Sequence, residues 1–210
     1  MTRAGVALAA SLLAAAGVYR AGPPPGHTGA FGEPDCGECH FDAVREDPAG
    51  AVEIRAPARF RPGGTYEIGV AVRHPDLRAA GFQMTTRFLD GDPAGGQAGR
   101  LEATPGTRLQ NADDGIAYLS HSGPGAAPDE PGRAVWTARW TAPEDGTGPI
   151  AFDVAAQAAN DDDSEFGERL YLLRTVARPC PSPPRGSAFV GEAAVRTAGS
   201  GSRADGICQR

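Results

Sequence analysis

The chain has 210 residues, of which 29 are glycine and 19 are proline; 40% are hydrophobic, and the formal net charge is −6. The Gly and Pro content favours short elements joined by turns over long helices. The acidic balance argues against a nucleic-acid partner, because phosphate binding needs a basic face.

Residues 1–21 have the features of an export signal. Arg3 precedes an apolar run from Ala4 to Val18, and Tyr19-Arg20-Ala21 is a candidate cleavage site. The run is shorter than the ~20 apolar residues of a membrane-spanning helix, although an uncleaved anchor stays open as an alternative. Since no second apolar run follows, we expect no transmembrane span in the mature chain and a periplasmic, cell-surface or secreted location.

The motif with the most specific chemistry is Cys36-Gly37-Glu38-Cys39-His40. Two thiols at this spacing, followed by a histidine, are typical of covalent haem c attachment. Cys36 and Cys39 would then bind the haem, and His40 would be the proximal iron ligand. The alternative from the same residues is a Cys36–Cys39 disulfide or another metal site, although no further Cys or His lies close enough in sequence for zinc.

Period-two alternation of apolar residues begins after residue 51 and predicts half-buried strands. Strong runs are 66–72, 82–88, 136–140 and 150–154, and weaker ones are 52–56, 116–120 and 170–176. Gly and Pro clusters separate them, which suggests an all-β, antiparallel, immunoglobulin-like sandwich with Trp136 and Trp140 in its core. The predicted organisation is a signal (1–21), a linker and haem attachment segment (22–50), the sandwich (51–178) and a Pro/Gly-rich loose tail (179–210).

The order of several short stretches resembles exported bacterial proteins in which a CxxCH motif precedes a sandwich similar to the Reeler (reelin N-terminal) domain, also named a choice-of-anchor domain. The matching stretches are 29–33, 36–40, 60–66, 74–75, 80–83, 118–122, 136–140 and 141–143. The resemblance covers roughly residues 26–177 and implies a surface or periplasmic setting.

A haem bound through His40 needs a ligand on the opposite side of the iron. Strand placement favours His121, because it ends a short strand beside a glycine-rich loop, and the resemblance commonly places a histidine there. His74 is the runner-up, followed by Met84 and His27. Met84 shares a strand face with Phe82, so core filling is its other interpretation.

The remaining chemistry is sparse. Asn160–Glu165 is an acidic loop that could hold Ca²⁺, but it lacks the EF-hand spacing and is better explained as a solvated turn. No nucleophile elbow, phosphate-binding loop or HExxH motif occurs, so we expect no enzyme. Cys180 and Cys208 bracket the tail and are a candidate disulfide, the alternative being a free thiol.

Three functional hypotheses follow. The first is an exported mono-haem c cytochrome that transfers electrons to a redox partner protein. The second is a haem-free extracellular adhesion or binding module with a Cys36–Cys39 disulfide. The third is a five-coordinate haem sensor of a small ligand. Neither the oligomeric state nor the mode of surface anchoring is indicated by the sequence.

Overall fold

The computed structural model describes residues 21–91, 94–145, 148–162, 166–181 and 208. The predicted export signal and most of the predicted tail lie outside these residues. The described part is an antiparallel β-sandwich, which confirms the predicted fold class. None of its helical segments has the length and apolar character needed to cross a bilayer. Its strands are β1 (Val44–Arg45), β2 (Ala51–Arg55), β3 (Arg59–Phe60), β4 (Thr65–Arg73), β5 (Ala79–Phe88), β6 (Arg100–Ala103), β7 (Thr107–Asn111), β8 (Ala117–His121), β9 (Arg133–Thr141), β10 (Ile150–Ala159) and β11 (Arg169–Pro179).

The strands form two sheets. The larger sheet has the order β1-β11-β10-β5-β8-β7, and β3 pairs with the far end of β11. The smaller sheet has the order β2-β4-β9-β6. Neighbouring strands are antiparallel except that β1 and β3 both run parallel to β11. The chain therefore touches the larger sheet at β1, crosses to the smaller sheet as β2, and returns at β3.

Alternate residues of both sheets meet in the core. Trp140 is fully buried, and its indole N–H donates to the Ala98 carbonyl oxygen at 2.9 Å. Its ring makes edge contacts with Phe60 and Phe152 at centroid distances of 5.5 and 4.9 Å. Trp136 is 5% exposed, so the prediction that both tryptophans lie in the core is confirmed. This follows from the period of two, which puts every second side chain of β9 on the inner face.

The other face of the larger sheet, called the outer face here, is also covered. Residues 22–35, called the N-terminal segment, lie across it. Gln83 on β5 accepts the His27 backbone N–H at 2.6 Å and donates to the Pro24 carbonyl oxygen at 2.7 Å. Arg108 on β7 donates to the carbonyl oxygens of Gly22 and Pro23. The part of the chain that the sequence suggests is a linker is thus held by body side chains that bind its backbone.

Candidate functional site

The CxxCH motif forms a short turn at the end of the N-terminal segment. Cys36–Glu38 is a 3-10 turn capped by Asp35, whose carboxylate accepts the Gly37 N–H at 2.8 Å. Arg45 on β1 donates to both oxygens of the same carboxylate at 2.7 and 2.9 Å. The Arg45 hydrogen bonds keep the pKa of Asp35 below its usual value. A paired and capped Asp35 therefore fixes the motif to the edge of the larger sheet.

The two thiols of the motif are unpaired in the structure, so the alternative Cys36–Cys39 disulfide is not formed there. Burial, followed by the nearby charge of Asp35, raises the pKa of Cys36 to about 12. The thiolate is the form of cysteine that attacks other groups and binds metals. The raised pKa of Cys36 disfavours its thiolate at neutral pH.

His40 lies beside a buried carboxyl at the start of β11. Its Nδ1 is 4.0 Å from Oε1 of Glu168, and the Glu168 side chain is only 3% exposed. Burial raises the pKa of Glu168 to about 7, with further contributions from the carboxylates of Asp162 and Asp42. The histidine of the motif thus faces a titratable acid.

His121, the predicted distal ligand, has a different role in the structure. Its Nδ1 accepts the backbone N–H of Phe82 at 3.1 Å, so the ring replaces a missing strand partner at the end of β8. It also lies against Gly81, where an added Cβ would come within 2.7 Å of the ring. Burial lowers the pKa of His121 to about 4. The side chain is a neutral structural acceptor.

The other candidate ligands also make contacts within the protein. His74 is 4% exposed; its Nδ1 accepts the Asp76 N–H at 3.1 Å, and its Nε2 lies 3.4 Å from Oδ2 of Asp47. Met84 is fully buried in the core, as its alternative interpretation predicts. His27 is the one candidate near the motif, with Nε2 2.9 Å from Oε2 of Glu38.

The topology keeps His40 and His121 apart. His40 lies beside Glu168 at the start of β11, whereas His121 lies on β8, and β10 and β5 separate these two strands. Three strand spacings correspond to about 14 Å. Two axial ligands of one iron atom must instead face each other across it. The arrangement therefore does not bring His40 and His121 to one iron atom.

The N-terminal segment is fixed by a polar cluster on the outer face. The Glu33 carboxylate pairs with Arg87 and accepts from the Tyr118 hydroxyl, and the Glu33 and Arg87 side chains are 13% and 8% exposed. The Phe31 ring packs against the guanidinium groups of Arg87 and Arg174, at 5.2 and 5.0 Å from its centroid. Phe31 has a φ of +52°, a costly conformation for a bulky residue. The cluster compensates this strain by anchoring the turn.

An exposed apolar surface lies next to the motif. It consists of Phe41, Val44 and Phe166, which are 74%, 48% and 50% exposed and are called the edge patch here. The Val44 N–H donates to the Glu168 carbonyl oxygen at 2.9 Å, which places β1 beside the segment that carries Phe166. The sequence does not predict this patch, because Phe166 lies about 120 residues after Phe41 and Val44. The one sequence signal is Phe41 directly after a polar motif.

The second pair of cysteines closes the chain at the other end of β11. Cys180 and Cys208 are joined by a disulfide. The Cys180 N–H donates to the Phe60 carbonyl oxygen at 2.7 Å, so the disulfide lies beside β3. It ties residue 208 to the sandwich at the end opposite the CxxCH motif.

No protein-family model matches the chain, and no curated protein matches it. Several solved structures are similar to the chain at low identity. The human F-spondin reeler domain is 14% identical with a TM-score of 0.43, over 66% of this chain and 94% of that chain. A cohesin module from a Clostridium perfringens family 33 glycoside hydrolase is 10% identical with a TM-score of 0.44, over 62% and 96%. The Bacillus cereus major pilin subunit BcpA is 10% identical with a TM-score of 0.36, over 62% and 39%.

The haem c prediction is wrong. The described residues contain no group of three or more His, Cys, Asp or Glu side chains that could hold a metal ion. Of the predicted distal ligands, His121 lies three strand spacings from His40, His74 is buried beside Asp47, and Met84 is buried in the core. Four interpretations require a bound haem and are therefore also wrong: cytochrome, electron transfer, metal binding and haem sensor. His121 accordingly has no role as a haem ligand.

Proposed function

We propose that this chain is an exported, non-catalytic, haem-free binding module that contacts a protein partner through the edge patch. The observation that carries the proposal is the exposure of Phe41, which at 74% is largely in solvent although it is a large apolar side chain. Contiguous exposed apolar residues are a recurring mark of interaction surfaces. Phe41 lies in a turn fixed by Asp35 and Arg45, so the patch is presented on a supported element.

Charge around the patch supports a particular kind of partner. The acidic side chains of Asp42 and Glu46 lie beside the patch, since Asp42 accepts the Gly167 N–H and Glu46 accepts the Leu172 N–H. Electrostatic complementarity at interfaces favours partners of opposite sign. We therefore infer a protein surface that presents apolar side chains bordered by arginine or lysine.

The exported setting is part of the same proposal. It is supported by the leader-like pattern of residues 1–21 and by the resemblance to exported Reeler-like proteins. The Cys180–Cys208 disulfide is consistent with it, because disulfides persist in oxidising compartments outside the cytoplasm.

Site-specific photo-crosslinking in the native host tests the proposal. A photoreactive phenylalanine analogue at position 41 or 166 should give one shared adduct. The same analogue at position 139, an exposed residue on the smaller sheet, should not. An Arg- or Lys-bordered apolar surface on the adduct would support the inferred chemistry. Equal adducts from positions 41 and 139, or none from either, would overturn the proposal.

A further inference from the structure

The outer edge of β11 is open in its middle. β1 pairs only with Arg169 and Leu170 of β11, and β3 pairs only with Arg178 and Pro179. Within the described ranges, residues 171–177 have β10 as their one ladder partner. The cause is the crossing of the chain to the smaller sheet as β2, which leaves the neighbouring position along β11 without a strand.

Alternation along β11 shows which backbone groups face this gap. The Leu170 carbonyl oxygen accepts from the Glu46 N–H, and the Arg178 N–H donates to the Ala58 carbonyl oxygen, so even-numbered residues point outward. By the same alternation, Leu172, Arg174 and Val176 direct their backbone groups into the gap. The Leu172 N–H donates to the Glu46 carboxylate at 2.8 Å. Among described residues, no partner exists for the Leu172 carbonyl, or for the N–H and carbonyl groups of Arg174 and Val176.

The gap has a defined length and apolar surroundings. From Leu172 to Val176 the strand rises by about 13 Å, which suits an extended peptide of four or five residues. A long strand would collide with β1 or β3 at the ends of the gap, so a second copy of β11 does not fit. Leu172 and Leu173 are each 37% exposed and offer apolar contact on the two faces of the edge.

The charges at the two ends of the gap favour one orientation of a bound peptide. Glu46 lies at its β1 end, whereas Arg59 and Arg178 lie at its β3 end. The Arg59 side chain donates to the Pro179 carbonyl oxygen at 3.5 Å, which holds it at this end of the gap. A peptide that runs parallel to β11, like β1 and β3, would place its carboxyl end beside the two guanidinium groups. The reverse orientation would bring an amino terminus there and be repelled.

We propose that this gap binds the carboxyl-terminal four or five residues of a partner protein, as an added strand parallel to β11. Main-chain hydrogen bonds to Arg174 and Val176 would hold the peptide, and Leu172 and Leu173 would favour apolar or β-branched side chains. Arg59 and Arg178 would pair with the terminal carboxylate. The site is separate from the edge patch and does not depend on it.

Hydrogen exchange on the full mature chain tests the premise. The amides of Arg174 and Val176 should exchange at least about 100-fold faster than those of Leu173 and Thr175, which point towards β10. Exchange at similar rates for all four amides would show that the edge is already covered and would overturn the proposal.

Peptide binding tests the site itself. The probe is an array of six-residue peptides with alternating valine, isoleucine and threonine, labelled at the amino end and carrying either a free or an amidated carboxyl end. Free-acid peptides should bind at least about tenfold tighter than their amides, as expected for one charge-assisted hydrogen bond. If no free-acid peptide binds below about 1 mM, the proposal fails.

Matched variants locate the peptide. Val176→Pro removes an outward N–H without touching the β10 ladder, and edge strands tolerate proline. It should weaken binding by about tenfold or more, whereas Val176→Thr, which keeps the N–H, should stay within about threefold. Arg178→Glu should abolish the preference for the free acid. Equal binding by the two Val176 variants would contradict strand addition. Phe41→Ser should leave peptide binding unchanged, which separates failure of this site from failure of the edge patch.

Discussion

The two faces of the larger sheet are buried by different physical means. The inner face buries Phe82, Met84 and Phe152 against the smaller sheet through apolar packing. The outer face buries Gln83 and Arg87 almost completely, but under a chain segment held by hydrogen bonds and an ion pair. Burial is thus stabilised in two ways. Apolar packing on the inner face is non-directional, whereas the outer face depends on paired polar groups, and the fold loses stability sharply when one partner of a pair is removed.

The inner face should give the largest loss. Trp140→Ala removes a fully buried indole that contacts Phe60 and Phe152. We expect the free energy of unfolding to fall by about 3–5 kcal/mol in urea titrations, from lost burial and a residual cavity. Arg139→Ala, one position away on the exposed side of the same strand, is the control and should stay within about 0.5 kcal/mol. A similar cost for both variants would argue against the assigned faces.

The ion pair of the outer face should come next. Arg87→Met leaves the Glu33 carboxylate, 13% exposed, without its guanidinium partner, so we expect a cost of about 2–4 kcal/mol. The double variant Glu33→Gln/Arg87→Met should cost less than the sum of the single changes, because no charge is left buried alone. Additive costs in the urea midpoints would mean that the two side chains do not interact.

Acid should lower the free energy of unfolding through His121, which joins β8 to β5. Its pKa is about 4 in the folded chain, below the ordinary value of 6.5, so the unfolded chain binds more protons between these values. Stability from this group is therefore full above about pH 6.5 and is lost as pH falls to 4, by about 3 kcal/mol. Glu168 contributes with the opposite sign, because its pKa is raised to about 7. The quantity to measure is thus the difference between wild type and His121→Gln across this range, and a pH-independent difference would contradict the buried neutral ring.

Gln83→Leu should have the smallest and most local effect. It removes the two side-chain bonds to the backbone of Pro24 and His27, at an expected cost of about 1–2 kcal/mol. Hydrogen exchange of residues 22–35 should speed up about tenfold or more, while the amides of β9 stay unchanged. Gln157→Leu, the same change on the same face of β10, is the control. Equal exchange in both variants would show that Gln83 does not hold the segment.

Much of the sandwich could be predicted from the chain. Period-two runs in β4, β5, β9 and β10 identify the strands and put Trp136 and Trp140 inside, because alternation fixes which side chains share a face. The short strands β6 and β7 have too few apolar residues for a periodic signal. Alternation also suggests that the outer residues of β5 face solvent. Their burial depends on contacts with residues some 55 to 60 positions earlier in the chain, which no local pattern contains.

The candidate site was predicted less well, for a related reason. The spacing of two cysteines depends only on the local chain. The predicted six-coordinate haem also needs a second iron ligand, which the tertiary structure must bring to the other side of the iron. His121 carries suitable chemistry, yet the pairing of β5 with β8 directs its ring to the Phe82 backbone. No local pattern reveals the edge patch, because only the pairing of β1 with β11 brings the chain around Phe41 to the side of the sheet that carries Phe166.

The absence of haem can be tested by the intact mass, under denaturing conditions, of mature protein made in a host with haem c attachment machinery. We predict the mass of the polypeptide alone, with Cys36 and Cys39 carrying no covalent group and no haem absorption remaining on the unfolded chain. A mass increased by one haem, with the colour retained after denaturation, would show that the CxxCH turn is not merely a structural element of a haem-free binding module.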